Sequence, residues 1–271
     1  METHASHAAP PNGGTLVEHR VAGVTFLCRQ TVADELRRIY AGGGSVFEEV
    51  RDQESSLVLY GRQPLLAGKL GGEPVLVKRL YHGGMLASLT GDRFLSSRRF
   101  RTQLECAEFL AANGLPTPET LFVAWRRRGL LVRGEIGVRY IARAFDAASH
   151  LFPSPPALPA DWRQRIGAVA TVTARLHRLG VEHGDLNLRN FLFVPWGDIH
   201  ILDLDKAHHR RPPLLSSARR RNLARLERSV RKLGREAPAR DVEAIVSALH
   251  TAYRVEYAQP GAGTPLATRR A

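Results

Sequence analysis

One stretch in the second half of the chain constrains the fold more than any other. It reads His183-Gly184-Asp185, reaches Asn190, and is followed by another carboxylate, Asp203, thirteen residues after the asparagine. Apolar residues on both sides of a turn at 195–198 predict a β-hairpin between Asn190 and Asp203. Because a short hairpin brings its two ends together, we expect these two side chains to lie close to one another.

The side chains of this stretch suit one kind of chemistry. Asp185 can accept the proton of an attacking hydroxyl, and the oxygens of Asn190 and Asp203 are the hard ligands that Mg²⁺ prefers. The spacing H-x-D-x-x-x-x-N with a later aspartate is typical of the catalytic loop and metal-binding aspartate of kinases. The alternative is a pair of solvated carboxylates on a surface hairpin. It is disfavoured because five positions match at the required offsets in a strand context.

Composition limits the class of protein. The 271 residues are 44% hydrophobic and 24% charged, which is typical of a soluble globular chain. Cys28 and Cys106 form no disulfide framework or metal motif, as expected in a reducing cytosol. The sequence contains no apolar run long enough for a transmembrane helix, and residues 1–14 resemble a disordered leader and not a secretory signal.

The net charge of +13 and the pI near 10.7 indicate an anionic partner. Nucleic acid, an anionic membrane surface and a polyphosphorylated substrate all satisfy this condition. The chain has no zinc-finger or RNP signature and no alternation of basic and aromatic residues. We therefore expect no nucleic-acid partner.

Strand patterns dominate the region after Ser56. Leu57–Tyr60, Leu65–Gly68 and Val75–Leu80 predict an antiparallel meander. Lys78 stands late in the third strand, as in the V-A-I-K pattern, where it can reach the α- and β-phosphates of ATP. A lysine that simply faces solvent is the alternative.

Two further nucleotide contacts are predicted less directly. Gly61 and Arg62 occupy the place of a phosphate-covering loop, although this loop has one glycine and Pro64 removes a backbone donor. A helix over Arg101–Asn113 carries Glu105 and Glu108, either of which can pair with Lys78 and hold it toward the phosphates. We prefer Glu105, and a solvated glutamate remains the alternative.

The rest of the chain predicts an α+β fold with two lobes. Leu121–Trp125, Leu130–Val132 and Val138–Phe145 continue the sheet, and Gly42-Gly43-Gly44 ends an earlier helix. A capping box at Asp161 opens a helix that runs to Gly180. Strands first and helices later favour an antiparallel-sheet N-lobe and a mainly helical C-lobe.

We predict the following boundaries: an N-terminal extension at 1–50, the N-lobe at 51–146, the C-lobe at 147–258 and a disordered tail at 259–271. Between Lys206 and Arg235 there are eleven lysines or arginines against one acid, Glu227. Apolar residues recur through Arg219–Leu233, which indicates an amphipathic helix. Its basic face either is solvated or holds the protein at an anionic membrane, and Arg219–Arg221 are candidates to bind an anionic acceptor.

From about Leu57 to Leu233 the sequence resembles the bacterial 3-deoxy-D-manno-octulosonic acid (Kdo) kinases of the lipopolysaccharide kinase group. The most specific matching segments are Leu76-Val-Lys-Arg-Leu-Tyr-His-Gly-Gly84, Gly114-Leu-Pro-Thr-Pro118, His183–Asn190, Ile201–Ala207 and Asn222-Leu-Ala-Arg-Leu-Glu-Arg-Ser229. The first and the last are not general kinase features. Asn187, the lack of an A-P-E motif and the lack of an evident activation loop also resemble small-molecule and sugar kinases.

This resemblance implies a protein-kinase-like fold and transfer of the ATP γ-phosphate to the 4-hydroxyl of Kdo on a lipid A precursor. It implies Asp185 as the base, Asn190 and Asp203 as Mg²⁺ ligands, and Lys78 as a phosphate contact. It also implies a peripheral protein at the cytoplasmic face of the bacterial inner membrane. Other acceptors stay open, namely an inner-core heptose, a small molecule or a protein serine or threonine. A pseudokinase or a basic nucleic-acid-binding module is the alternative outside this class.

Overall fold

The computed structural model describes residues 14–59, 64–80, 98–128, 131–153 and 158–259. Its chain divides into two compact units. The first comprises the residues up to Leu104 together with Pro118–Ala142, and the second comprises Glu105–Thr117 together with the residues from Arg143 onward. The mixed α+β architecture confirms the predicted fold class.

The first unit is built on an antiparallel sheet in the order β1-β2-β6-β7-β5-β4-β3. Its strands are β1 (Val17–Val21), β2 (Val24–Cys28), β3 (Leu57–Leu59), β4 (Leu65–Leu70), β5 (Glu73–Leu80), β6 (Thr120–Arg128) and β7 (Leu131–Arg139). The predicted meander corresponds to β3, β4 and β5. Within the predicted N-terminal extension, residues 17–28 add β1 and β2 to the β6 edge of this sheet.

Helices cover both faces of the sheet within this unit. On one face, α1 (Ala33–Ala41) and α2 (Val46–Arg51) pack their apolar sides, including Leu36 and Val50, against Val75 and Val77. On the other face, Phe100 and Leu104 of α3 (Arg98–Ala112) pack against Trp125 and Ile136. Successive strand residues point to opposite faces, so each strand supplies both layers. As predicted, the glycines at 42–44 follow the end of α1, and Gly43 has a φ of 78°.

The second unit is mainly helical. Its helices are α4 (Ala147–Leu151), α5 (Trp162–Arg178), α6 (Ser216–Leu233) and α7 (Ala239–Ala258), and α3 ends in it. Ile166, Val169 and Leu176 of α5 lie in its core, and α7 packs along α5. The amphipathic helix is confirmed as α6, whose Leu226 and Val230 are buried. No helix among the described residues is long and apolar enough to cross a membrane.

Two small sheets complete the second unit. Its strands are β8 (Phe145–Asp146), β9 (Val181–Glu182), β10 (Phe191–Phe193), β11 (Ile199–Ile201) and β12 (His208–His209). Strand β10 pairs with both β11 and β8, and β9 pairs with β12. The backbone N–H of Ile201 donates to the carbonyl of Pro116 at 3.0 Å, which fixes the hairpin to the segment that follows α3.

Three details of the sequence analysis are corrected. The strand predicted at Val138–Phe145 is wrong: β7 ends at Arg139, and Arg143 adopts a φ of 57° that breaks the extended chain before β8. The capping box at Asp161 is also wrong, because its carboxylate bonds the side chains of His150 and Arg165 and caps no backbone N–H. Helix α7 is absent from the sequence-based expectations, although Val242, Ile245, Val246 and Leu249 recur at helical spacing.

Candidate active site

The predicted hairpin forms and brings Asn190 and Asp203 to one end of two paired strands. Phe191 pairs with Ile201, and the N–H of Leu202 donates to the carbonyl of Asn190 at 2.8 Å. Gly197, with a φ of 96°, supplies the turn that the sequence predicts. The backbones of the two expected metal ligands are therefore adjacent across the last hydrogen bond of the ladder.

The carbonyl oxygen of Asp185 organises the loop between His183 and the hairpin. It accepts hydrogen bonds from the side-chain amides of Asn187, at 2.9 Å, and Asn190, at 2.8 Å. The Asn187 amide oxygen in turn accepts from the N–H of Arg189 at 3.0 Å and opens a 3₁₀ turn at Leu188–Asn190. Two asparagines thus hold the backbone of the expected base, and the bond to Asp185 fixes the orientation of the Asn190 amide.

His183 connects the loop to the far strand of the hairpin. Its Nε2 lies 2.9 Å from the carbonyl of Leu202, and its Nδ1 accepts from the N–H of Asp185 at 3.3 Å. This pattern requires the neutral ring with the proton on Nε2. Burial lowers the pKa of His183, although the carboxylates of Asp203 and Asp185 oppose that shift. The fully buried ring therefore acts as a neutral brace between the two carboxylate-bearing segments.

Asn222 of α6 is a site residue that sequence reasoning missed. Its side chain is fully buried and brackets the backbone of His183: Oδ1 accepts from the His183 N–H at 3.1 Å, and Nδ2 donates to the His183 carbonyl at 2.8 Å. The hydroxyl of Ser229, two turns further along the same helix, accepts from the N–H of Leu188 at 3.1 Å. Both residues lie in the segment Asn222–Ser229, which resembles the Kdo kinases and not kinases in general. That resemblance is the sequence signal that could have identified them.

A second buried histidine extends this network toward α7. His177 Nε2 lies 3.2 Å from Asn222 Oδ1, and its Nδ1 lies 2.8 Å from the hydroxyl of Tyr253. The ring donates from Nε2 and accepts at Nδ1, so it is neutral. Burial is the main cause that lowers the pKa of His177, to about 4. Three helices are thus tied to the peptide that precedes Asp185.

Glu182 binds two of the basic residues beside the loop. Its buried carboxylate accepts from Arg221 at 2.9 Å and from Arg210 at 2.9 Å. Burial alone would raise the pKa of Glu182, but the hydrogen bonds from both arginines outweigh it and hold that pKa below its ordinary value. Arg219 lies over the ring of Tyr257 at 4.1 Å. Two of the three arginines considered for acceptor binding, Arg219 and Arg221, therefore have structural contacts.

The backbone of Asp203 has an uncommon conformation. Its φ of 58° and ψ of 56° lie in the left-handed region, which costs energy for residues other than glycine. Such conformations persist where the surrounding structure over-determines them, and they cluster at functional sites. Here the hairpin on one side and the turn at Leu204–Lys206 on the other fix the residue. The strained backbone is consistent with an Asp203 side chain that the fold holds in one orientation.

The donor set fits an ion that also binds a substrate phosphate. Within the described ranges, no three His, Cys, Asp or Glu side chains cluster to hold a metal by themselves. Mg²⁺ commonly binds one or two protein oxygens and completes its shell with phosphate and water. Asn190 and Asp203 at the hairpin end match that requirement.

The structure describes some of the predicted nucleotide contacts and leaves others outside the described residues. Lys78 is half-buried on β5, opposite Ile136 of β7, and so lies on the sheet face that carries α3. Glu105 is exposed on α3 and Glu108 is half-buried, and the pairing of either with Lys78 stays a prediction. Gly61 and Arg62 lie outside the described residues.

Comparisons with known proteins place most of the chain in one family. The lipopolysaccharide kinase (Kdo/WaaP) family model matches residues 61–253. A 3-deoxy-D-manno-octulosonic acid kinase of Xanthomonas axonopodis pv. citri is 29% identical over 235 residues, which cover 79% of this chain and 91% of that protein. A kinase of the same name from Xanthomonas campestris pv. campestris is 31% identical over 187 residues, 67% of this chain and 72% of that protein.

The fold has a counterpart among solved structures. WaaP in complex with acyl carrier protein aligns with a TM-score of 0.51 at 20% identity and covers 83% of this chain and 88% of that one. This likeness concerns the fold alone. Since the family model spans most of the sequence, including the whole of the loop and hairpin, the chain belongs to the lipopolysaccharide kinase (Kdo/WaaP) family.

Proposed function

We propose that this kinase transfers the γ-phosphate of ATP to the 4-hydroxyl of a Kdo sugar on a lipid A precursor. The observation that carries the proposal is the loop from His183 to Asn190, held by side-chain hydrogen bonds at the end of a hairpin. The relatives that bear the name Kdo kinase support this acceptor. Within the family, a sugar hydroxyl is the group that Asp185 would deprotonate.

Each residue has a role that follows from its chemistry. Asp185 orients the acceptor hydroxyl and takes its proton, while Lys78 binds the α- and β-phosphates and Glu105 holds that lysine extended. Asn190 and Asp203 hold Mg²⁺, which when bound neutralises the β- and γ-phosphates. Gly61 and Arg62 cover the phosphates. Phosphoryl transfer needs little covalent help, so the rate depends mainly on positioning and on charge neutralisation.

A direct assay tests the acceptor. The full chain is incubated with ATP, Mg²⁺ and a Kdo-bearing lipid A precursor, and mass spectrometry is expected to show the glycolipid gaining one phosphate. An acceptor that lacks the Kdo 4-hydroxyl should stay unmodified, and the same precursor without Kdo is the matched control. Phosphate gained by the control lipid, or by the 4-deoxy acceptor, would exclude the proposed hydroxyl.

A panel of other acceptors separates the alternatives. An inner-core heptose, an aminoglycoside-like small molecule and a protein serine are incubated under the same conditions with labelled ATP. Label on any of these at a kcat/KM equal to or above that of the Kdo lipid would replace the proposed acceptor. The absence of label from every acceptor, the Kdo lipid included, would favour a pseudokinase.

We also propose peripheral binding to the anionic cytoplasmic face of the bacterial inner membrane, where the acceptor lipid resides. Exposed cations on and before α6 support this, namely Arg211, Arg220, Arg228 and Lys232. Each basic residue near an anionic leaflet is worth about 1 kcal/mol. Reversal of the last three to glutamate is expected to abolish sedimentation with phosphatidylglycerol vesicles, and phosphatidylcholine vesicles are the control. Undiminished sedimentation of the variant would reject this surface.

A further inference from the structure

The segment that joins β12 to α6 leaves apolar side chains in water. Leu215 is 71% exposed, the largest fraction among the large hydrophobic side chains that the structure describes. Pro212 and Pro213 are exposed as well. A single exposed leucine is common in soluble proteins, but this one shares a short segment with two exposed prolines. We call residues 211–215 the proline turn.

Backbone hydrogen bonds fix the chain at both ends of the proline turn. The N–H of Arg210 donates to the carbonyl of Gly180 at 2.9 Å. The N–H of Leu214 donates to the carbonyl of His177 at 2.8 Å, and the Leu214 side chain is buried, with 2% exposed. Leu215 therefore meets water on an ordered backbone. A surface that is already ordered loses little conformational freedom when it binds a partner.

Exposed cations stand on both sides of the apolar residues. Arg211 is exposed at the start of the proline turn, and Arg220 is exposed near the start of α6. The sequence contains no acidic residue between Lys206 and Glu227. Apolar groups with a cationic rim are complementary to an anionic bilayer, because its acyl region takes up the first and its phosphates attract the second.

The small size of the apolar surface favours a bilayer over a protein partner. A stable protein interface buries about 800 Å² on each side, which three side chains of one turn do not supply. A bilayer requires no matching pocket, and binding to it strengthens with each apolar group that enters the interface. The occupant that fits this surface is therefore an anionic lipid bilayer.

The proline turn lies close to the catalytic loop. His208 of β12 pairs with Glu182 of β9, and β9 leads directly into His183. The guanidinium of Arg210, just before the proline turn, donates to the Glu182 carboxylate at 2.9 Å. A membrane contact at the proline turn would therefore hold the loop that carries Asp185 near the bilayer in which a lipid acceptor resides.

We propose that Pro212, Pro213 and Leu215 insert into the interfacial layer of an anionic bilayer, with Arg211 and Arg220 at the level of the lipid phosphates. This inference rests on the proposed peripheral membrane binding and adds an apolar component to it. The cations of α6 attract the protein to the surface, and the proline turn enters the bilayer.

Sedimentation of the full chain with phosphatidylglycerol vesicles tests the apolar component. We expect Leu215→Asn to lower the partition coefficient about tenfold, as the loss of one buried leucine predicts. The ratio of wild type to variant should persist in about 1 M sodium chloride, where the Debye length falls to about 3 Å and the contribution of the cations is screened. Leu215 is the N-cap residue of α6, where asparagine is favoured, so the variant should fold.

Val255→Asn is the matched control for an exposed apolar side chain. Val255 of α7 is 56% exposed. Tyr253 and Tyr257, two residues to either side of it, contact His177 of α5 and Arg219 of α6. Helical geometry therefore turns Val255 away from α5 and α6, and its substitution should leave the partition coefficient unchanged.

A fluorescent label tests insertion directly. Leu215→Cys and Val255→Cys are labelled with the polarity-sensitive dye NBD, which leaves the buried Cys28 and Cys106 unlabelled. The emission of the label at position 215 should shift to the blue and gain intensity on phosphatidylglycerol vesicles, and the label at position 255 should not change. This measurement decides the matter if Leu215→Asn does not fold.

Three outcomes would overturn the inference alone, in a wild-type chain that sediments with the vesicles. They are an unchanged partition coefficient for Leu215→Asn, equal weakening by Val255→Asn, and no change in emission of the label at position 215. A wild-type chain that does not sediment with the vesicles would overturn the proposed membrane binding together with this inference.

Discussion

The catalytic loop and the strand that carries Lys78 are positioned by different kinds of contact. In the loop, side-chain amides and an imidazole bond the backbone at distances between 2.8 and 3.3 Å. In β5, the backbone is held by ladder pairs with β4 and β7, and the neighbours Val75 and Val77 are buried against α1 and α2. The conformation of the loop thus depends on particular side chains. The position of the strand depends instead on the alternation of apolar residues and on their burial.

This difference predicts where substitutions act. A polar contact to the backbone has few replacements, because a buried donor or acceptor left without a partner costs about 1–3 kcal/mol. An apolar contact in a sheet tolerates exchange of residues of similar volume. Changes in the loop should therefore reduce kcat, and changes at Lys78 should act on ATP binding while the sheet persists.

The largest expected effect is that of Asp185→Asn. General-base action contributes about 10²–10⁴-fold, so kcat should fall by that amount, and the dissociation constant for ATP should change little. Turnover of the Kdo lipid and calorimetric ATP binding measure the two quantities. Asp198→Asn, at the exposed turn of the same hairpin, is the control and should retain activity. An active Asp185→Asn enzyme would refute the assignment of the base.

Lys78→Met is expected to change the affinity for ATP more than kcat. Loss of a charged contact to phosphate removes about 1.5–3 kcal/mol, so the affinity for ATP should weaken roughly 10- to 100-fold. The midpoint temperature of thermal unfolding should stay unchanged, because Lys78 is not part of the buried core. Lys69→Met, at an exposed position of β4 in the same sheet, is the matched control. Equal KM values for ATP in both variants would show that Lys78 makes no phosphate contact.

The two regions also differ in how far the sequence reveals them. The loop and hairpin are local, so fixed offsets from His183 to Asp203 and a four-residue turn are enough to predict them. Asn222 lies 39 residues beyond His183 and has no fixed spacing from it, so only the folded chain brings them together. The end of β7 was predicted wrongly for another reason. The residues Val138–Phe145 have the pattern of one extended strand, and nothing in that pattern indicates the left-handed backbone of Arg143 that interrupts it.

Asn222→Leu should show how strongly the loop depends on its side-chain contacts. The substitution has a similar volume but leaves the N–H and carbonyl of His183 without partners, so we expect a loss of unfolding free energy of about 2–4 kcal/mol. In enzyme that remains folded, kcat should fall about tenfold with little change in the KM for ATP. Urea unfolding and steady-state kinetics measure the two effects.

Thr173→Val is the control for a buried hydrogen bond alone. Thr173 is fully buried and its hydroxyl donates to the carbonyl of Val169 within α5, away from the loop. The Thr173→Val variant should have a lower free energy of unfolding and an unchanged kcat. If Asn222→Leu behaves in the same way as Thr173→Val, Asn222 stabilises the unit without positioning the loop.

The smallest expected effect is a dependence of stability on pH. Burial lowers the pKa of His177 to about 4, from an ordinary value of 6.5. As the pH falls below 6.5, His177 becomes protonated in the unfolded chain but stays neutral in the folded chain. The free energy of unfolding therefore decreases progressively between pH 6.5 and pH 4. Between pH 7 and pH 5.5 this amounts to about 1 kcal/mol. His177→Gln removes the titrating ring, so its unfolding free energy in urea should fall by about 1 kcal/mol less than that of the wild type over the same interval. Equal losses in the two proteins would mean that His177 titrates normally, and the neutral ring between Asn222 and Tyr253 would then have to be abandoned as a support of the catalytic loop.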